Sequence, residues 1–463
     1  MNDVCGVVIN AADKYFMRWQ RGCFSEIQSY TGIVFGAVKR GRVKPVYKKT
    51  AMSTSNTLPS RRRDLDVARE AIVASLILFH TARIFDSLEF HVKNEPREPA
   101  VTVIVIFASL WGIPLLFTIA GFAVQRSLRK RTIVEFLRER FQRLVIPLIV
   151  GLLIIVPPQM YYQQLFLHPS NQESFIEFYL RFFNVSQDFP WLFAATPASN
   201  LFETAHLWFL EVLLVETLLL LPVCLYLRQP AGLRLVDRIA NFSTQTSLVL
   251  LFPIPIAVIE AGGGTDMAGG WNHVVYVVFL VYGYLYAADA RFGLVISEHW
   301  KGNLVTAVIG SIIGIVGFGL YGDTAHTNPM QAYDVISVAL RFFKGLVGWW
   351  WIIAIFGFLE AMRAKRQAQC TSSESSRELV LVDRRSFWDK VERYANQAVL
   401  PFYLLHQTII VIVGYYVVQW HTSAFLKFLM ISSIALVSTL MLYELLIKRT
   451  QLTRFLFGMK PMD

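Results

Sequence analysis

Two pairs of side chains in this 463-residue chain have types and spacings suited to group transfer. The first is Arg69 and His80, both on one strongly apolar stretch, 67–85. Eleven helical steps return to nearly the same face, about 16 Å further along the axis. An arginine near one membrane surface and a histidine near the other would then look along one stripe. Ionisable groups within a spanning helix are costly, so they are functional candidates that face protein or water rather than lipid. An imidazole with an ordinary pKa of about 6.5 suits a general base near neutral pH. The competing readings are structural: an arginine that snorkels to the headgroups, and a histidine that bridges two helices. The second pair is Arg140 and Arg143 in Arg140-Phe141-Gln142-Arg143. Arginines at i and i+3 share one side of a helix and can clamp a phosphate through paired donors. Ordinary positive charge on the inner side of a membrane explains the same residues without a ligand.

Further polar groups punctuate other apolar runs. Glu203 precedes His206 in the stretch His206-Leu207-Trp208-Phe209-Leu210. His206 can either receive a polar partner or cap its helix, and Trp208 suits an interfacial belt. Tyr403 and His406 lie at i and i+3 within PFYLLHQ. They can contact a substrate or act as packing glue. The stretch PLLFTIAGF, 114–122, and the pair Gly310 and Gly314 supply small residues that permit close helix approach. The cysteines are Cys5, Cys23, Cys224 and Cys370; none forms a CxxC pair, so free thiols and no metal site are expected.

The elements that must position these groups are membrane helices. The chain is 54% hydrophobic and 14% aromatic, which excludes an ordinary soluble domain. About 20 apolar residues are needed per crossing. On that basis about ten spans are predicted, at 67–85, 101–124, 144–162, 206–227, 244–260, 273–290, 303–321, 342–362, 396–418 and 424–447. The expected fold is an all-α polytopic transmembrane bundle. Pro253 and Pro255 should break the fifth span. Lys and Arg concentrate in loops 125–143, 228–243 and 363–395, while 261–272 and 322–340 have none. This alternation predicts cytoplasmic termini, a multi-pass protein of the cell (inner) membrane, and an even number of spans. It also accounts for the net charge of +11 without a nucleic-acid partner. The long segment 163–205 is expected to form an ordered cap on the outer side, and Thr371–Ser376 to be flexible.

Residues 1–60 are basic and lack the apolar run of a signal peptide. They read as a disordered or interfacial tail, or as a start placed too early with Met52 the true beginning. No function is assigned to them. Residues 61–463 read as a single transmembrane domain.

In this order and at these spacings, the motifs resemble the acyltransferase family 3 membrane proteins, over roughly Arg61 to Pro461. They are R-x10-H at Arg69 and His80, PLLFTIAGF, RxxR at Arg140 and Arg143, HLWFL at 206–210 and YLLH at 403–406. Ala120 stands where the family more often has serine before the glycine. The C-terminal stretch YELLIKRTQLTRFLFGMKP is similar to members that modify periplasmic glucans. The resemblance implies an acyl-CoA donor, acetyl-CoA or succinyl-CoA, entering from the cytoplasm as a co-substrate, with no permanently bound cofactor. It implies an acceptor hydroxyl on an extracytoplasmic carbohydrate. Arg140 and Arg143 would then hold CoA phosphates, Arg69 would stand at the mouth, and His80 would act as base. Glu203, His206, Tyr403 and His406 would position the acceptor or stabilise an oxyanion. The rival expectation is a transporter or flippase of an envelope glycolipid, a class that often carries paired broken helices. A third is a sensor or scaffold in which the same residues only stabilise the bundle.

Overall fold

Prolines decide where the helices of this protein break and widen. The computed structural model describes residues 62–170, 173–183, 202–245, 252–263, 269–326, 328–372 and 378–462. The basic tail with Met52, and most of TSSESS, lie outside the described residues. Every regular element among the described residues is helical. Residues 62–463 form one unit.

The first half contains α1 (Arg63–Ala82), α2 (Pro99–Ser109), α3 (Gly112–Lys130), α4 (Ile133–Leu167) and α5 (Phe175–Phe182). It is followed by α6 (Trp208–Leu227), α7 (Pro230–Gln245) and α8 (Pro253–Gly263). The second half contains α9 (His273–Ala288), α10 (Ala290–Ala325), α11 (Val335–Ser372) and α12 (Glu378–Val417). The chain closes with α13 (Ala424–Leu442) and α14 (Gln451–Leu456). Among the described residues, seven helical segments are long and apolar enough to cross a membrane. The other three predicted spans correspond to α1, whose N-terminal half carries Asp66, Arg69 and Glu70, and to the shorter α8 and α9. Outward faces are apolar, as at Ile104, Leu219, Ile312 and Leu446. Together these features describe a multi-pass membrane protein.

Three expectations change. The second span is discontinuous: α2 ends at Ser109 and α3 starts at Gly112. Pro114 cannot donate to the carbonyl four residues back, and its ring crowds that carbonyl. The indole of Trp271 covers the break by donating to Ser109 O at 2.9 Å. The basic loop 125–143 is almost wholly helical. Only Arg131 and Thr132 separate α3 from α4, and Thr132 caps α4 in a capping box with Glu135. The RxxR motif therefore lies inside a spanning helix. The segment 228–243 is likewise helical, forming most of α7. The expected break of the fifth span is seen where Pro253 opens α8 after a turn at Phe252, with residues 246–251 outside the described residues. Proline is tolerated there because a first-turn residue needs no intrahelical donor.

Helix α4 contains two π turns, Phe141–Val145 and Gly151–Ile155. Each is followed by proline, Pro147 in one case and Pro157-Pro158 in the other. The carbonyls freed near the second turn receive side-chain donors. Tyr179 Oη donates to Leu153 O at 3.1 Å, and Thr408 Oγ1 to Ile155 O at 2.8 Å. Part of the predicted cap is thus seen: α5 seals against α4 through the fully buried Phe178 and Phe182. Residues 184–201 of that cap lie outside the described residues.

The small residues of PLLFTIAGF act in backbone contact. A Cβ on Gly121 of α3 would lie 1.9 Å from Leu280 O of α9, and one on Gly283 would lie 1.9 Å from Thr118 O. Phe117 stacks on Tyr276 at 4.3 Å beside this crossing. Gly310 also makes a close contact, with Val347 and Trp350, whereas Gly314 sits in ordinary contact with Phe343.

Candidate active site

Helix α1 turns Leu65, Ile72, Val73, Leu76 and Ile77 into the protein, with Val67 and Leu78 on the opposite, exposed face. Arg69 and His80 are half-buried on the inward stripe, as their spacing predicts. The start of α1 is anchored by Arg62, which is buried. It donates to Asp64, to Glu360 Oε1 at 2.7 Å and to Tyr286 Oη at 3.2 Å.

The His80 ring packs inside the bundle, 5.2 Å from the ring of His406 on α12 and 6.2 Å from that of Phe90. It does not face lipid. His406 in turn lies 5.5 Å from His206, edge to face. Tyr403 joins the group at 5.8 Å from His206. The three histidines of the apolar motifs thus share one centre with Tyr403, although they come from widely separated parts of the chain.

Hydrogen bonds fix two of these rings. His406 Nδ1 donates to Tyr403 O at 2.8 Å and to Phe402 O at 3.1 Å, one turn earlier on its own helix. His206 Nε2 donates to Leu404 O at 2.9 Å. Tyr403 returns the contact by donating its hydroxyl to the His206 carbonyl. Tyr403 and the Leu404 carbonyl therefore cross-link α12 to the 3-10 turn Ala205–Leu207 that leads into α6. The Tyr403 hydroxyl is committed to this backbone bond, which defines it as an architectural group of the site.

A fourth histidine escapes sequence reading. His91 lies in the connection after α1 and beside Phe90. Its Nδ1 bonds Gln163, while its Nε2 accepts from Gln159 at 2.7 Å and Gln407 at 3.1 Å. Burial pushes the His91 imidazole down to about 4. This neutral ring ties the roof of the site to α4 and α12. The connection itself is held by Asp86, fully buried between Arg83 at 2.5 Å and Lys93 at 2.7 Å. Lys93 also donates to the carbonyls of Arg83 and Leu88, and Lys427 reaches Asn94 at 2.8 Å. The available signal was Gln159 and Gln163 at i and i+4 on the end of an apolar span, with Gln407 next to His406.

The remaining candidates lie elsewhere. Arg69 forms an ion pair with Asp66 at 3.3 Å, one turn earlier. Arg140 lies over the Phe136 ring at 4.9 Å, and Arg143 pairs loosely with Glu139 at 3.7 Å. The π turn begins between the two arginines and widens the helix there, so Arg140 is half-buried and Arg143 exposed. The C-terminal stretch closes on the same turn. Gly458, with φ of 64°, sits so near Pro147 and Arg143 Cα that a Cβ would come within 2.8 and 3.3 Å of them. Glu203 is half-buried, and burial holds its carboxyl above the usual range. Among the described residues no cluster of His, Cys, Asp and Glu could hold a metal ion. Of the four thiols, Cys224 is described as free and buried.

A polar histidine centre inside a bundle of apolar helices defines a multi-pass membrane protein with a buried polar centre. Comparison with known families supplies the rest. An acyltransferase domain profile matches residues 62–444, and the chain belongs to that family, the acyltransferase family 3. No curated protein and no solved structure matches it.

Proposed function

We propose that this membrane acyltransferase moves an acyl group, acetyl or succinyl, from acyl-CoA to a hydroxyl of an extracytoplasmic carbohydrate. Within the family the reading leans towards glucan biosynthesis protein C and periplasmic glucans as acceptor, from the C-terminal stretch YELLIKRTQLTRFLFGMKP. The observation that carries the proposal is the inward placement of His80 against His406, at 5.2 Å, on the helix that also bears Arg69. His80 would take the proton of the attacking hydroxyl. Arg140 and Arg143 would meet the CoA phosphates on the cytoplasmic side, with Arg69 helping at the mouth. An extended pantetheine arm would reach from there to His80. Positioned base catalysis contributes about 10²–10⁴-fold. His80→Ala should therefore lose nearly all thiol release from acyl-CoA while remaining folded and binding donor. Undiminished turnover by correctly inserted His80→Ala would reject the assignment. A comparison of envelope glycans with and without the gene by mass spectrometry identifies the acyl group and its carrier.

The break between α2 and α3 adds a second interrupted span, a feature that transporters use. Here the Trp271 indole and its bond to Ser109 O fill the break with protein. The discontinuity therefore lends the transporter reading no open binding site.

A further inference from the structure

Three imidazole nitrogens at the centre are buried without a hydrogen-bond partner: His80 Nδ1, His406 Nε2 and His206 Nδ1. Their environments differ in what they can do with a proton. The Nδ1 of His406 faces two carbonyls, so it must carry hydrogen, and Nε2 of the neutral ring is a lone pair. The Nε2 of His206 faces the Leu404 carbonyl, so its Nδ1 is also a lone pair. Two acceptor-only nitrogens thus belong to rings next to one another, and His406 lies between His206 and His80.

An extra proton is not equally welcome at each ring. An imidazolium on His80 would bury an Nδ1–H with no backbone carbonyl to receive it. Burying such a group uncompensated is costly. An imidazolium on His406 would keep Nδ1–H on the Tyr403 and Phe402 carbonyls, and hydrogen bonds to a charged form favour that form. The lone pair on His206 lies in the adjacent ring. His80 can take a proton at one nitrogen and release one from the other; His406 is the better place to hold it.

Resting on the acyl-transfer reading above, we propose that His406 is the proton store of the reaction, receiving through His80 the proton of the acceptor hydroxyl. In the forward step the hydroxyl oxygen bonds the thioester carbonyl carbon and its proton passes to His80; the His80 and His406 rings, 5.2 Å apart between centroids with no hydrogen bond joining them at rest, then close to hydrogen-bond reach and His80 hands a proton to Nε2 of His406. The carbon–sulfur bond then breaks. The stored proton returns through His80 to the thiolate, leaving an ester and a free thiol, with no net proton gained or lost. This arrangement also selects the acceptor class. Lone-pair nitrogens receive an O–H donor, whereas a carboxylate brings none.

The test uses the full-length protein in detergent, acetyl-CoA or succinyl-CoA as donor, and a glucan oligosaccharide as acceptor, with thiol release as readout. Wild-type rates in H2O/D2O mixtures should follow a bowed curve, because more than one proton is in flight. His406→Asn restores an amide donor near the Tyr403 carbonyl but removes Nε2. It should lower kcat by about 10²–10³-fold with the donor KM unchanged, and its isotope plot should become linear. A linear wild-type plot overturns the relay whether or not the variant folds. So does a His406→Asn enzyme with wild-type kcat, or one that keeps the bowed plot. Absence of thiol release by the wild type with both donors would instead overturn acyl transfer itself, and the relay with it.

Discussion

Gly121→Ala should cost the protein its fold before it costs the chemistry. The added Cβ would lie 1.9 Å from Leu280 O, 2.8 Å from Leu280 C and 3.0 Å from Leu280 Cα. All three are backbone atoms, so no side chain can swing aside. Restoring ordinary contact, which begins near 3.4 Å, requires α3 and α9 to separate by roughly 1.5 Å at their crossing. That separation loosens the Phe117–Tyr276 stack and the neighbouring Phe122–Tyr286 contact. Overpacking against a rigid wall typically costs about 1–3 kcal/mol, and backbone contact places this site at the upper end. Gly283→Ala strikes the same crossing from the other side, through Thr118 O. Once one methyl has parted the helices, the second finds space, so the double variant should lose less than the sum of the singles. Thermal unfolding of the purified protein in one detergent, for both singles and the double, measures this. Additive losses, or a Gly121→Ala variant as stable as wild type, would refute the shared-crossing argument.

Tyr403→Phe removes the donor to a buried carbonyl of His206 and should lower stability by about 1–3 kcal/mol; an unchanged melting curve would show that the cross-link contributes nothing. For His91 the folded pKa of about 4 lies below the ordinary value of 6.5, so the ring contributes stability above about pH 6.5. That contribution is lost as pH falls towards 4, and amounts to roughly 3 kcal/mol. Melting temperatures taken from pH 7 to pH 4 should therefore fall, and should fall less in His91→Gln; equal slopes would dismiss the histidine as the cause. Saturating acyl-CoA at about 100 times its Kd should stabilise the wild type by about 2.7 kcal/mol. Arg140→Ala and Arg143→Ala should shrink that gain at the same ligand concentration, and an unchanged donor titration would remove them from the donor site.

Much of the scaffold was legible because membrane helices obey local rules. Seven of the predicted spans appear as helices long and apolar enough to cross, and α1, α8 and α9 occupy the other three places. The stripe shared by Arg69 and His80 follows from helical periodicity alone. What misled was the reading of charge as loop. Arginines at 126–143 cluster where α3 meets α4, yet the chain there stays helical apart from Arg131 and Thr132. The π turn within RxxR was not readable either, since Pro147 shows that a donor is missing but not how the backbone absorbs the loss.

The sequence by itself determined the helices, their apolar faces and the few polar residues they carry. In hydrocarbon the backbone must satisfy its own hydrogen bonds, so each segment's structure is set within that segment. Tertiary structure alone decided which polar residues meet. His80, His206 and His406 lie on separate elements, and their rings converge only because α1 and the start of α6 dock on α12. The same docking assigned their hydrogens, since a ring's tautomer follows the carbonyl it faces, and that partner comes from packing rather than from a neighbour's name in the chain.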